Sequence, residues 1–403
     1  MHEKKSSFLA ALFISFLDNF GYSIVFILFA PVVLNPDYGF FSQETSLGTK
    51  NIYLGILVGI FPLALFFGAP FWGDVGDFWG RRRALLWTIL GTVFGHVMTA
   101  LAMVVKSFAF LLIARAVAGL FAGNVSIALA TISDISKEPK LKARNFGLLT
   151  VALGSGWILA MLLGGYLSDP TISSYFSPEL PFYVVAALTF VGFLVVKYFF
   201  IETHKNYPTV SFDVLKSFHE IKEALKIKEM RPILYVLFFW SMGWFYDFQW
   251  FTPISLESYH VTQEKISSYL LVLGISWILG GVFLNPFLVQ RFSSRCLSIY
   301  TVLLTAVLIF LSLVSKQYFF FGFWFWMSAL LAAVTLSNLF NLVALSAPSR
   351  VQGKAMGFSQ SFQALAGFVV PFLGGAIANV SISWIYPLSF VLLLFSFFLL
   401  LRN

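Results

Sequence analysis

Gly73-Asp74-Val75-Gly76-Asp77-Phe78-Trp79-Gly80-Arg81-Arg82-Arg83 is the stretch on which the reading of the fold turns. It packs two acids and three arginines between two long apolar runs, 52–72 and 84–105. Either run is about the 20 helical residues needed to cross a hydrocarbon core of about 30 Å. A tight, basic connection between two such runs is what a membrane protein leaves at its cytoplasmic surface. Gly73 and Gly80 are expected to permit the turn, and the arginines to anchor it against anionic lipid.

Working outward, apolar runs of the same length recur over the whole chain, near 8–33, 52–72, 84–105, 107–130, 146–167, 182–201, 232–254, 266–288, 295–314, 320–343, 355–377 and 384–401. The composition agrees: 59% of the 403 residues are hydrophobic and only 11% charged, more apolar surface than a water-soluble domain can bury. The first run is too long for a cleaved leader, and no small-residue cleavage site follows it. Only Lys106 separates the third run from the fourth, so those two form a very tight hairpin.

The basic residues set the orientation. With a cytoplasmic N-terminus, twelve spans place 21 Lys and Arg inside, among them Lys4, Lys5, Lys137, Lys140, Lys142, Arg144, Lys205, Arg350 and Lys354. Only Lys50, Lys106, Lys265 and Lys316 fall outside, and Arg115 lies within a span. An odd number of spans destroys this asymmetry. The formal charge of +8 is therefore a topology signal and no nucleic-acid footprint. The lone Cys296 excludes an internal disulfide or a CxxC metal or redox site. HExxH and GK[ST] phosphate loops are missing from the sequence, so neither metalloprotease chemistry nor direct ATP drive is expected.

The chain reads as two matched halves, 1–201 and 231–403, joined by a polar linker, 202–230, in which Ser211–Met230 has the pattern of an amphipathic surface helix including Phe212. Gly147 and Gly357 stand 210 residues apart, each after a short basic loop (Lys142 and Arg144; Gly353 and Lys354), and Gly164–Gly165 and Gly374–Gly375 repeat the offset. Gly21 and Pro31 match Gly243 and Pro253 at 222. Internal repeats of this kind mark secondary transporters.

The 73–83 stretch is similar to the G-x-x-x-D-R/K-x-G-R/K-R/K loop of the major facilitator superfamily, and Arg115 through Gly119 resembles its R-x-x-x-G signature in span four. The resemblance covers nearly the whole chain. It implies an all-α membrane fold of twelve helices in two pseudo-symmetric six-helix bundles, with spans one, four, seven and ten around a central site. It also implies a gating role for Gly73, Asp77, Gly80, Arg81 and Arg82, with Asp77 set against the N-terminus of span eleven to help close the cytoplasmic side; Phe78 departs from the usual basic residue.

Ionisable groups at membrane depth are costly and mark function. Ser15, Asp18 and Tyr22 fall on one face of span one, and Arg115 is the expected partner of Asp18. Asn124, nine residues beyond Arg115, falls on roughly the opposite face of an ideal helix and reads as a packing or lipid-shielded polar group. Asp247, about 24 Å along span seven, is either a coordinating group between aromatic walls or a wet rim residue. Asp18, Arg115 and Asp247 are thus the candidate proton-coupling residues. Tyr22, Trp244, Gln249, Asn338, Asn341, Gln360 and Gln363 are candidates for substrate contact, although the Asn and Gln pairs serve equally well for interhelical hydrogen bonding. His96 reads as a packing histidine.

The pattern is closest to the tetracycline-efflux and drug:proton antiporter branch, whose span-five G-x-x-x-G-P-x-x-G-G signature here has Ala160 and Met161 in place of its Gly-Pro. The expectation is proton-driven efflux of a lipophilic or amphipathic compound by alternating access, from the inner (plasma) membrane, by a monomer with both termini cytoplasmic. No cofactor or metal is called for beyond the proton gradient, and no nucleic-acid partner. Proton-coupled uptake of a siderophore or other metal chelate, an amino acid or a nucleoside is the alternative, and a non-transporting receptor a further one.

Overall fold

The computed structural model describes residues 2–136, 139–203, 215–348 and 355–402. Lys137, Lys205, Phe212, Arg350, Gly353 and Lys354 lie outside the described residues, as do the side chains of Lys4, Lys140, Lys142 and Arg144. All regular structure among the described residues is helical. A chain that must satisfy every backbone N–H and C=O inside lipid has little other choice.

The spans are, in order, His2–Ser23 continued by Val25–Leu34, then Leu47–Trp79, Arg81–Val104, Phe108–Phe121 continued by Asn124–Ile135, Pro139–Leu167 and Leu180–Phe199. The linker helix is Lys216–Lys226. The second set runs Arg231–Gln249 with Phe251–Tyr259, Gln263–Ile278 extended to Leu288, Ser294–Val314, Tyr318–Ser346, Ala355–Ser381 and Ile385–Arg402. Among the described residues, ten helical stretches are long and apolar enough to cross a membrane. One of them, Gly357–Arg402, is divided by a 3-10 turn at Ile382–Trp384 into two spans, and the aromatic-rich span seven is the twelfth.

Two local features explain how the chain turns and bends. The hairpin between spans three and four closes through Lys106 in the left-handed conformation (φ 52°), after which Ser107 caps Phe110 N–H. Span four breaks at Ala122–Gly123, where neither residue is helical. That break changes which face each half of the helix presents.

The chain divides into two compact units. The first holds 1–32, 37–40 and 60–216, and its core joins Ile14, Leu17, Ile89, Ile127 and Val196 from spans one, three, four and six. The second holds 33–36, 41–59 and 217–403, so the opening half of span two packs with it. Gly55 makes that approach possible, since a Cβ there would lie 2.2 Å from the Pro371 carbonyl oxygen. The glycine repeat has a packing meaning. Gly164 of span five lies against Ile24 and Ile27 of span one, and Gly374 of span eleven against Trp250 of span seven.

Candidate functional site

Asp18 stands on span one and its carboxylate accepts a hydrogen bond from Asn124 Nδ2 at 2.8 Å. The expected pairing with Arg115 is not present: Asp18 makes no ion pair among the described residues. The reason is the break at Ala122–Gly123. Counting 100° per residue from Arg115 puts Asn124 on the far face, whereas the second helix of span four starts afresh at Asn124 and turns its amide to span one. The Asp18 carboxyl borders a small hollow with room for about one water molecule, lined also by Thr92, His96, Asn124 and Thr189. The hollow lies inside the first unit, among spans one, three, four and six. Ser15, on the same face of span one, spends its hydroxyl on its own helix, bonding Ala11 C=O at 2.8 Å.

Arg115 is buried and stacks its guanidinium over the ring of Phe61, 4.5 Å from the centroid, with Phe29 at 5.5 Å. Its Nε and Nη1 have no hydrogen-bond partner. The Tyr22 ring lies 5.4 Å from the same Phe61 ring. Tyr22, Phe61 and Arg115 are therefore brought together, apart from the Asp18–Asn124 pair. Weakly hydrated guanidinium tolerates an aromatic face better than an ammonium does.

In the second unit Asp247 is fully buried, which rules out the wet-rim reading. Ser328 of span ten donates to its Oδ2 at 3.1 Å, while Oδ1 has no partner. Tyr386 of span twelve donates to the Asp247 backbone carbonyl at 3.4 Å. Trp244 is packed rather than open, its ring 5.5 Å from Trp277 and 6.5 Å from Phe325. Gln249 is buried with both amide atoms unpartnered. Asn338 and Asn341 take the interhelical alternative: Asn338 Nδ2 donates to Asn285 Oδ1 at 2.7 Å, and Asn341 Nδ2 to Ser294 Oγ at 2.8 Å. Gln360 is exposed and Gln363 half-buried.

The basic loop differs from its sequence reading at Gly73. Span two runs unbroken through Gly73 to Trp79, so Gly73 is a helical residue and permits no turn. Gly80 alone bends the chain, at φ 97°. Asp77 pairs with Arg81 at 2.6 Å within its own unit, and Arg81 also reaches Asp134 at 3.4 Å. Glu202 occupies the N-terminus of span three, its two carboxylate oxygens accepting from the backbone N–H groups of Arg81 and Arg82 at 3.0 and 3.1 Å. Asp74 forms an ion pair with Lys216 at the start of the linker helix. Glu202 and Asp74 escaped the sequence reading because their partners are more than a hundred residues away.

The family model described as Major Facilitator Superfamily matches residues 9–371. The quinolone resistance protein NorA of Staphylococcus aureus (strain COL) is 24% identical over 347 residues, 83% of either chain. The class B tetracycline resistance protein of Escherichia coli is 24% identical over 400 residues, 96% of this chain and 93% of its own. Among solved structures, the human organic anion transporter MFSD10 (TETRAN) superimposes with a TM-score of 0.75 at 17% identity, covering 99% of this chain and 100% of its own. A D-xylose-proton symporter does so with 0.74 at 15%, covering 98% and 97%.

Proposed function

Because the chain belongs to the major facilitator superfamily, we propose that it is a proton-coupled antiporter that exports a lipophilic or amphipathic compound by alternating access. The observation that carries the coupling is Asp18: a carboxyl within span one whose hydrogen-bond partner is the neutral amide of Asn124 and which has no counter-ion among the described residues. An ionised carboxylate in that setting is poorly compensated, so taking up a proton relieves it. Arg115 adds a fixed positive charge to the same unit without cancelling that of Asp18. A site that gains by protonation on one side of a membrane and by release on the other can bias which side is open.

Export is supported by the two relatives named for resistance to quinolones and to tetracycline. The second reading, uptake symport of a nutrient or chelate, is favoured by one feature of span five: Met161, buried, stands where the export signature has proline. In either case the chain sits in the plasma membrane with both termini cytoplasmic, works as a monomer, and draws on the proton gradient.

The test uses the full chain in proteoliposomes with ethidium, a flat lipophilic cation, as probe. An imposed proton gradient drives ethidium against its concentration gradient, and Asp18→Asn abolishes that accumulation while ethidium still equilibrates. Accumulation surviving in Asp18→Asn overturns the assignment of Asp18. Probe moving in the same direction as protons overturns antiport in favour of symport.

A further inference from the structure

His96 lies on span three and faces the hollow beside Asp18. Three buried polar atoms in the residues that line this hollow have no hydrogen-bond partner: His96 Nδ1, Asn124 Oδ1 and Thr189 Oγ1. The residues that carry them are 4%, 2% and 5% exposed. Orphaned groups of this kind are costly when nothing meets them. A hollow of about one water's size, edged by two to four polar groups, is the setting in which a buried water is stably held. Space for the ring is reserved by Gly21, where a Cβ would fall 2.6 Å from His96 Nε2.

We propose that His96 is a second proton-carrying residue of this site, joined to Asp18 through one water held in the hollow. The inference rests on the reading of Asp18 as a proton carrier. In the tautomer with a proton on Nε2, Nδ1 is a free acceptor. The acid form of Asp18 gives its proton to the water as the water gives one of its own to Nδ1, leaving carboxylate and imidazolium; the reverse shift restores both neutral groups. The charged or titratable groups that face the ring are Asp18 from span one and Arg115 from span four, whereas Thr92, Asn124 and Thr189 of spans three, four and six line the hollow as neutral groups.

The experiment is nuclear magnetic resonance of the full chain in nanodiscs with ¹⁵N-labelled histidine, run beside ethidium transport in proteoliposomes. The chain has five histidines, and the resonances of His96 are those lost in His96→Phe. Asp18→Asn and Thr189→Val are expected to move those resonances, and His96→Gln and His96→Phe to displace the pH of half-maximal gradient-driven transport by about one unit, the scale of coupling between interacting sites. Should His96→Phe fail to fold, the transport arm is read on His96→Gln and the resonances are assigned by its loss instead. His96 signals unmoved by Asp18→Asn, or a pH profile unmoved by both histidine variants, overturn the proposal. So does movement of the signals by sodium at fixed pH, which gives the hollow to a metal cation. If Asp18→Asn leaves gradient-driven transport intact, it is the reading of Asp18 itself that falls.

Discussion

The carboxylate of Glu202 occupies the space a side chain at Gly80 would need: a Cβ there would lie 2.4 Å from Glu202 Oε2. The two residues answer one requirement. Gly80 supplies the left-handed φ that turns span two into span three, and the absence of a Cβ lets Glu202 reach the first two amides of span three. Gly80→Ala therefore meets both strain and a clash and is expected to lower stability by about 1–3 kcal/mol. Glu202→Gln, which keeps one acceptor and loses the charge, costs about 1 kcal/mol. Gly73→Ala is expected to be neutral or stabilising by up to about 1 kcal/mol, since Gly73 is helical and nothing lies within 4 Å of its missing Cβ. Thermal unfolding in detergent compares the three; a Gly73→Ala loss as large as that of Gly80→Ala contradicts this account.

How far the sequence could be read follows from what kind of information each feature needs. A helix in lipid satisfies its own backbone, so the length of an apolar run is almost enough to place it. The cost of burying charge singled out Asp18, Arg115 and Asp247 without knowledge of any neighbour. Partners were another matter. Rotation along span four can be counted only while the helix is continuous, and Ala122–Gly123 interrupts it, which is why Asn124 rather than Arg115 meets Asp18. Glu202 and Asp74 lie on other elements from Arg81 and Lys216, and no periodicity links them. The use of Gly164 and Gly374 as seats for spans one and seven was foreshadowed by their equal spacing, but what they touch was not.

Asn124 is the one hydrogen-bond donor to the Asp18 carboxylate among the described residues. Asn124→Ala leaves that carboxylate without a partner and is expected to cost about 1–3 kcal/mol where Asp18 is ionised, and less in acid where it is neutral. Thermal midpoints of this variant and the parent, taken at acid and neutral pH, test the point. An equal loss at both pH values would show that Asn124 acts through packing alone.

Tyr38, in the loop after span one, has its phenol pushed above the usual tyrosine range, first by burial and then by the negative charges of Asp169 and Asp37. A group whose folded pKa is raised contributes stability that is complete below its unfolded value and disappears as pH climbs through the folded one. The chain should thus lose stability as alkaline pH ionises Tyr38, and Tyr38→Phe should flatten that limb of the curve. Asp169→Asn should move the limb in the direction of easier ionisation. Identical alkaline limbs for Tyr38→Phe and the parent would refute this.

Arg115 has its guanidinium over Phe61 and two nitrogens with no partner. Planarity and weak hydration are what this position uses, so Arg115→Lys, which keeps the charge, is still expected to cut gradient-driven ethidium transport by about tenfold. Phe61→Leu, which removes the ring but stays apolar, should cost about 0.5–2 kcal/mol of stability. Full activity in Arg115→Lys would mean that only the sign of the charge matters there.

Asp247 is the counterpart problem in the second unit. It is as buried as a carboxylate can be, with Ser328 on Oδ2 and nothing on Oδ1, an arrangement better suited to a neutral acid than to an anion. If Asp18 and Asp247 each carry a proton, their removal has different consequences. Asp18→Asn ends uphill transport, whereas Asp247→Asn keeps the shape and the Ser328 contact, so uphill movement should persist with one fewer proton per ethidium. The ratio is read from the steepness with which accumulation responds to the imposed pH difference, because each coupled proton multiplies the attainable gradient once more by that difference. An unchanged slope in Asp247→Asn would make this carboxyl a structural acid, and a complete loss of uphill transport would make it equal in rank to Asp18.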